Sequence, residues 1–183
     1  MHHPTKVFVP LLLAIGLAGC HQTAAPTNTN PGDTKSMDTN AKDVADLKAL
    51  EERFNAAFKA KDVNAIMQFC VPDESLVVFD VHTPRQFNGA QAYRKDWEDL
   101  FNQFSGPIEA DISEMDVTAG GDVAYAHYIH HVVGTTKSGK KADTTVRVTD
   151  CFKKINGKWL IAHSHISVPV DMRTGKADLE SKP

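Results

Sequence analysis

The stretch VRVTDCFKKINGKWLIAHSHISVP, residues 146–169, decides the architecture. Its two halves are rich in β-branched and apolar residues, and Asn156-Gly157 separates them. An Asn-Gly pair between such runs specifies a tight hairpin, because both central residues of that turn need positive φ. Working back along the chain, Ser138-Gly139 and Gly120-Gly121 repeat the punctuation, and the pattern keeps period two from Ile108 onward. The reading is four strands, about 108–118, 122–136, 141–155 and 158–168, joined as an antiparallel meander. Strands this long should make a strongly curved sheet.

Upstream, the period changes. Val44, Leu47, Leu50, Phe54, Ala57 and Phe58 recur at helical spacing, with Lys48, Glu51, Glu52 and Arg53 in the gaps. This predicts an amphipathic helix of about 18 residues. Asp62 is placed to cap a shorter helix that turns Val63, Ile66, Met67 and Cys70 inward and ends at Pro72. Leu76 to Val81 reads as a strand, and Gln86-Phe87 as a short extended piece. Asn88-Gly89 opens a third helix with Tyr93, Trp97, Leu100, Phe101 and Phe104 on one side. Ser105-Gly106-Pro107 stops it, with Gly106 at the left-handed cap. The class is α+β: N-terminal helices packed on an antiparallel sheet.

The first 42 residues have another character. Lys6 precedes an apolar run, Val7 to Ala18, which is too short for the ~20 residues a membrane span needs but fits a signal peptide. The run ends Leu17-Ala18-Gly19-Cys20, which resembles the lipobox of bacterial lipoproteins. That resemblance implies cleavage after residue 19, a lipid on Cys20, and placement on the periplasmic side of the cell envelope, on the outer rather than the inner membrane because His21 is not Asp. Residues 20–42 then form a polar tether. The domain occupies 43–172, and 173–183 is a polar tail. Removal of residues 1–19 takes away Lys6 and no acid, leaving a charge of −4 against −3 for the whole chain. That balance speaks against nucleic-acid binding.

The order helix, helix, strand, helix, curved meander resembles the ketosteroid-isomerase-like, or nuclear transport factor 2-like, superfamily. The Arg147-x-Thr149 strand, the Gly157-Lys158-Trp159 turn and the final His163-x-His165-x-Ser167-x-Pro169 strand look like the SnoaL-like branch. Asp122-Val123-Ala124 after the double glycine also fits. The resemblance implies a cone-shaped sheet with an internal pocket, a frequent dimer through the outer sheet face, and no cofactor. It specifies no reaction, since isomerases, cyclases, dehydratases and association domains share this fold.

Alternation along strands nominates the pocket residues. On the last strand Trp159, Ile161, His163, His165 and Ser167 share one face; the Trp end should pack on the first helix and the histidine end approach the pocket. The other face, Leu160, Ala162, Ser164, Ile166 and Val168, is the expected dimer surface. Arg147 shares a face with Thr145, Thr149 and Cys151 and needs an anionic or carbonyl partner, either a ligand or an interior acid. Strand 122–136 offers His127 and His131 on one face or Tyr128 and His130 on the other, and alternation does not choose. Asp80 ends an apolar strand and is either a base or a solvated terminus.

Candidate ligand contacts are therefore Arg147, Tyr128, His130, His163, Thr149 and Trp97, with Asp80 and His165 as candidate proton-transfer groups. No spacing of the His-Glu-x-x-His kind occurs, so a metal is not expected. Cys70 and Cys151 are read as buried thiols or a disulfide. The functions in view are an envelope-anchored module binding a small anionic or carbonyl ligand, an isomerase- or cyclase-type enzyme working beside a carbonyl, and a non-catalytic dimeric scaffold.

Overall fold

The computed structural model describes residues 31–179 and 181, with side chains from residue 40 onward. Cys20, the apolar run before it and the first part of the tether lie outside the described residues. In chain order the elements are α1 (Pro31–Lys59), α2 (Val63–Met67), β1 (Val77–Phe79), β2 (Phe87–Asn88), α3 (Ala90–Phe101), β3 (Phe104–Gly120), β4 (Val123–Thr136), β5 (Lys141–Ile155), β6 (Lys158–Ser167), β7 (Val170–Asp171) and β8 (Lys176–Ala177). No described helix is long and apolar enough to cross a membrane.

The four long strands form the expected meander, and the sheet order is β2-β1-β6-β5-β4-β3. β1 joins it in parallel beside the last long strand, pairing Val77 with His163 and Phe79 with His165. This placement was not legible from the chain, because a parallel neighbour is set by tertiary docking and not by a turn.

Three local expectations change. α1 reaches back to Pro31, into the segment read as tether, and proline's fixed φ suits a first helical position. α3 ends at Phe101 with Asn102 as its cap, so Gly106 does not terminate the helix. Instead Gly106, with φ +76°, sits in a register shift of β3 between Ser105 and Ile108. Phe104 is thereby a strand residue. Its ring packs over Gly134, where a Cβ would come within 2.8 Å of it. Finally, the tail is anchored: Thr145 N donates to Leu179 O at 2.9 Å, beyond the point where β6 ends, and β7 and β8 form a small hairpin.

The decisive irregularity lies between β5 and β6. Cys151 faces His163, but its neighbour Phe152 faces Ile161, so Ala162 has no partner across the ladder. Such a bulge inserts one residue and inverts the alternation beyond it. Trp159 and Ile161 point toward α1, as read. From His163 onward the faces are exchanged: Ser164 and Ile166 point in, while His163, His165 and Ser167 point out. The inward set on β5 is Val148, Asp150 and Phe152, and the outward set is Arg147, Thr149 and Cys151.

The core fills the space between this inner face and the helices. Leu47, Leu50, Phe54 and Phe58 of α1 meet Phe152 and Ile161, and Tyr93, Trp97 and Phe101 of α3 close the other side. Trp97 stacks edge-on against Phe54 and Phe58, with ring centres 5.9 and 5.7 Å apart. At the far end Trp159 Nε1 donates to Asp43 Oδ1 at 3.2 Å, and Lys154 pairs with the same carboxylate. The Trp end of the last strand thus docks on the first helix, as expected.

Two adjacent residues of β5 test this assignment of faces. Phe152→Ala should cost about 3–5 kcal/mol in denaturant unfolding, the range for a fully buried aromatic. Cys151→Ala, on the outer face, should cost less than about 1 kcal/mol.

Candidate functional site

Three constellations gather the molecule's chemistry. The first is inside the cone and centres on Asp150, which is 2% exposed. Tyr128 on β4 donates its hydroxyl to Asp150 Oδ2 at 3.0 Å and lies 3.3 Å from Glu51 Oε2 on α1. Glu51 is fully buried and hydrogen-bonds Asp150, and Ser164 on β6 supplies another bond to the same carboxylate. Burial drives the Glu51 carboxyl well above the usual carboxylate range, and the Asp150 charge drives it further. Burial raises the Asp150 carboxyl as well, but the bonds from Ser164, Tyr128 and Glu51 pull it back down, so Glu51 is the member of the pair that keeps the proton and Asp150 the one that accepts bonds from three sides. Burial likewise pushes the Tyr128 hydroxyl far up, so it stays a donor.

The same inner face carries His130, whose Nε2 lies 3.1 Å from Asn55 Oδ1. Burial lowers its pKa to about 4, so the ring is neutral. Of the two sets on β4, Tyr128 and His130 point in, and His127 and His131 point out. Trp97 is a core residue among the rings of Phe54, Phe58, Tyr93 and Phe101.

The second constellation stands where β1 ends. Asp80, His82 and Asp96 bring three ligand-type atoms within 4.8 Å of one another. Burial, and then the Asp80 carboxylate, push Asp96 up to about 6. Asp80 is raised too, chiefly by burial. Asp80 is thus no solvated terminus.

The third lies on the outer face of the sheet. His163, Thr149, His165 and Arg147 all fall here, correcting the expectation that they line the interior: the bulge at Ala162 turns His163 and His165 out, and unbroken alternation with inward Val148, Asp150 and Phe152 turns Arg147 and Thr149 out. Arg147 is solvent-exposed on the outer face, so it does not pair with an acid inside the cone. Asp80 gathers with His82 and Asp96 while His165 packs against Phe79, so the two do not form a pair. His163 donates Nδ1–H to Val77 O at 2.7 Å, which leaves Nε2 as the free nitrogen. Phe79 packs edge-on against both His163 and His165, at 4.9 and 5.7 Å. At the Cys151–His163 end this face hollows into a groove of about 720 Å³, walled by Val77, Thr118, Val123, Tyr125, Cys151 and His163, with Lys153 and Ser75 also lining it. Its surface is overwhelmingly apolar. Cys151 in its floor is a free thiol, as is buried Cys70, so the two are not bonded.

The residues missed from sequence were Glu51, His82, Asp96 and Asp150. Signals existed for three of them. Glu51 falls on the stripe Leu47–Phe54–Phe58 at intervals of four and three, within the charged run of Lys48, Glu52 and Arg53. Asp96 stands beside Trp97 and three residues after Tyr93. Asp150 alternates with Val148 and Phe152, the more apolar face of its strand.

Residues 47–171 match the SnoaL-like domain, well over half of the chain. The chain belongs to the SnoaL-like family. Among solved structures, it resembles an NTF2-like protein of unknown function from Pseudomonas putida, with 29% identity, a TM-score of 0.70, and coverage of 78% of this chain and 98% of that one. A nuclear transport factor 2-like superfamily protein from Salmonella enterica matches at 18% identity and TM-score 0.65, over 72% of this chain and 94% of the other. The association domain of CaMKII from C. elegans matches at 17% identity and TM-score 0.55, over 71% and 98%. No curated protein matches the sequence. SnoaL-like membership and the cone-shaped α+β fold thus agree with the expectation from the 146–169 stretch.

The buried acid pair makes a pH-dependent prediction. A carboxyl whose pKa is raised on folding supports the fold below its unfolded value and loses that support as pH rises toward the folded value. Glu51→Gln keeps a donor for Asp150 and removes the titration. Its thermal midpoint should exceed that of the unmodified protein at pH 8, and the difference should shrink as pH falls toward 4.5, followed by circular dichroism.

Proposed function

We propose that this SnoaL-like domain is a binding module for a small ligand with an apolar body and an anionic or carbonyl end, taken up in the groove on the outer face of the sheet. The observation that carries the reading is the groove: about 720 Å³, apolar walls, and a few polar groups along them. Ligand sites have this size and make-up. Lys153 supplies a cation and His163 a fixed ring, while Tyr125 and Val123 offer exposed apolar surface to a ligand body. The interior Glu51–Tyr128–Asp150 set has the donor and acids that proton transfer beside a carbonyl would use, but each member is at most 5% exposed. Its role in this reading is structural.

The same face supports pairing with a second copy. Val123 is 61% exposed, Tyr125 44% and Phe79 38%, a concentration of apolar side chains that a monomer seldom leaves wet. The surface differs from the one expected, since Ile166 and Ser164 turned inward. A homodimer through it would roof the groove. The CaMKII neighbour, named as an association domain, is in keeping with such assembly. Envelope anchoring rests on Leu17-Ala18-Gly19-Cys20: lipid on Cys20 would hold the domain at the periplasmic side of the membrane.

Binding is tested by a thermal-shift and calorimetric screen of medium-chain and aromatic carboxylates with their neutral alcohols. Acids should stabilise the protein. Thr118→Trp, which fills the groove from an exposed position, should abolish the shift. Lys153→Ala should weaken acids by roughly 5- to 20-fold, about 1–2 kcal/mol, and leave the alcohols unchanged. A shift that persists in Thr118→Trp places the ligand elsewhere. Pairing is tested by light scattering: Tyr125→Glu should convert a dimer to a monomer, and a dimer that survives it uses another surface.

A further inference from the structure

We propose that Asp80, His82 and Asp96 form a binding site for a divalent transition-metal ion of the Zn²⁺ type, separate from the groove. The three side chains arrive from different parts of the fold: the end of β1, the loop after it, and the middle of α3. His82 Nε2 lies 3.3 Å from Asp96 Oδ1 and 3.9 Å from Asp80 Oδ2. Two ligands bound to one tetrahedral ion at ~2.1 Å stand about 3.4 Å apart, so the imidazole and Asp96 already have the needed separation. A small movement of the Asp80 oxygen completes a three-ligand set.

The orientation of the ring supports a cation between the imidazole and the two acids. His82 Nδ1 lies 2.8 Å from the backbone carbonyl of Thr83, which can only accept, so Nδ1 carries the proton. In a neutral ring Nε2 then presents a lone pair, and that lone pair faces two carboxylates. Three electron-rich atoms converging in this way repel one another unless a metal ion or a proton lies between them. A carbonyl on the far nitrogen is also the outer support that metal-binding histidines use to fix their tautomer and direction. The surroundings suit the task. Asp96 is nearly sealed, with 9% of its side chain exposed, and Asp80 has 16%, while His82 at 48% leaves an entrance. The ring is steadied by edge-on contact with Phe87 at 5.7 Å.

One imidazole with two monodentate carboxylates favours Zn²⁺, Co²⁺ or a neighbouring ion over Mg²⁺ or Ca²⁺, which prefer six or more oxygens. Three protein ligands leave a position open for water or for an oxygen of a small molecule. The competing arrangement is a doubly protonated His82 bridging the two carboxylates with no metal.

Calorimetric titration of the purified protein with ZnCl₂ alone, after chelator treatment, decides between them. One equivalent should bind saturably. His82→Gln and Asp96→Asn should each weaken it by about tenfold or more, while His163→Gln and His165→Gln should leave it unchanged. Absence of saturable binding overturns the proposal, as does undiminished binding in His82→Gln. A second readout needs no variant: one equivalent of Co²⁺ should give the intense visible bands of a four-coordinate ion. The pale spectrum of hydrated cobalt would overturn the site.

Discussion

Asp150 is a charge placed where the sheet is driest, and the fold is built so that this charge is satisfied. Tyr128 from β4, Ser164 from β6 and protonated Glu51 from α1 all give hydrogen bonds to it. Each donor comes from a different element, so the carboxylate ties helix, middle strand and last strand to one point. An ion without these partners would be far too costly to bury, and removing any of them leaves a polar group stranded. Glu51 Oε1 has no partner within the described structure, which shows how close to the limit this arrangement stands.

This constraint also explains the bulge. For Ser164 to reach Asp150, the last strand must turn Ser164 inward, while Ile161, three residues earlier, must also face the core opposite Phe152. Strict alternation cannot put residues 161 and 164 on the same side. The unpaired Ala162 reconciles the two requirements, and it does so by turning His163 and His165 out. One interior hydrogen bond and one inserted residue thus decide which groups of the last strand face solvent.

The consequence is a division of surfaces. The interior is a closed polar centre within an aromatic shell. The exterior carries the groove, the exposed apolar side chains, Arg147 and the outward histidines. The end of β1 carries a third set, in which a backbone carbonyl aims the imidazole of His82 at two acids. In this chain the reactive side chains are thus divided between the outside of the cone, its rim and its packed hollow.

Periodicity, turn chemistry and composition were enough to establish the α+β class, the three helices, the meander and its turns, the Asp62 cap and the family of the domain. These features are local, or follow from turns that admit few geometries. The residues around the sites were less readable because they depend on which way a strand faces. The period-two rule holds only between bulges, and nothing in Ile161-Ala162-His163 marks an inserted residue. Pairing across β5 and β6 determines it, as docking determines that β1 lies beside β6 and that Asp96 on α3 meets His82. Sequence by itself therefore named many of the reactive side chains. Tertiary structure alone decided which of them share a face, because that is a property of the ladder between strands and not of either strand alone.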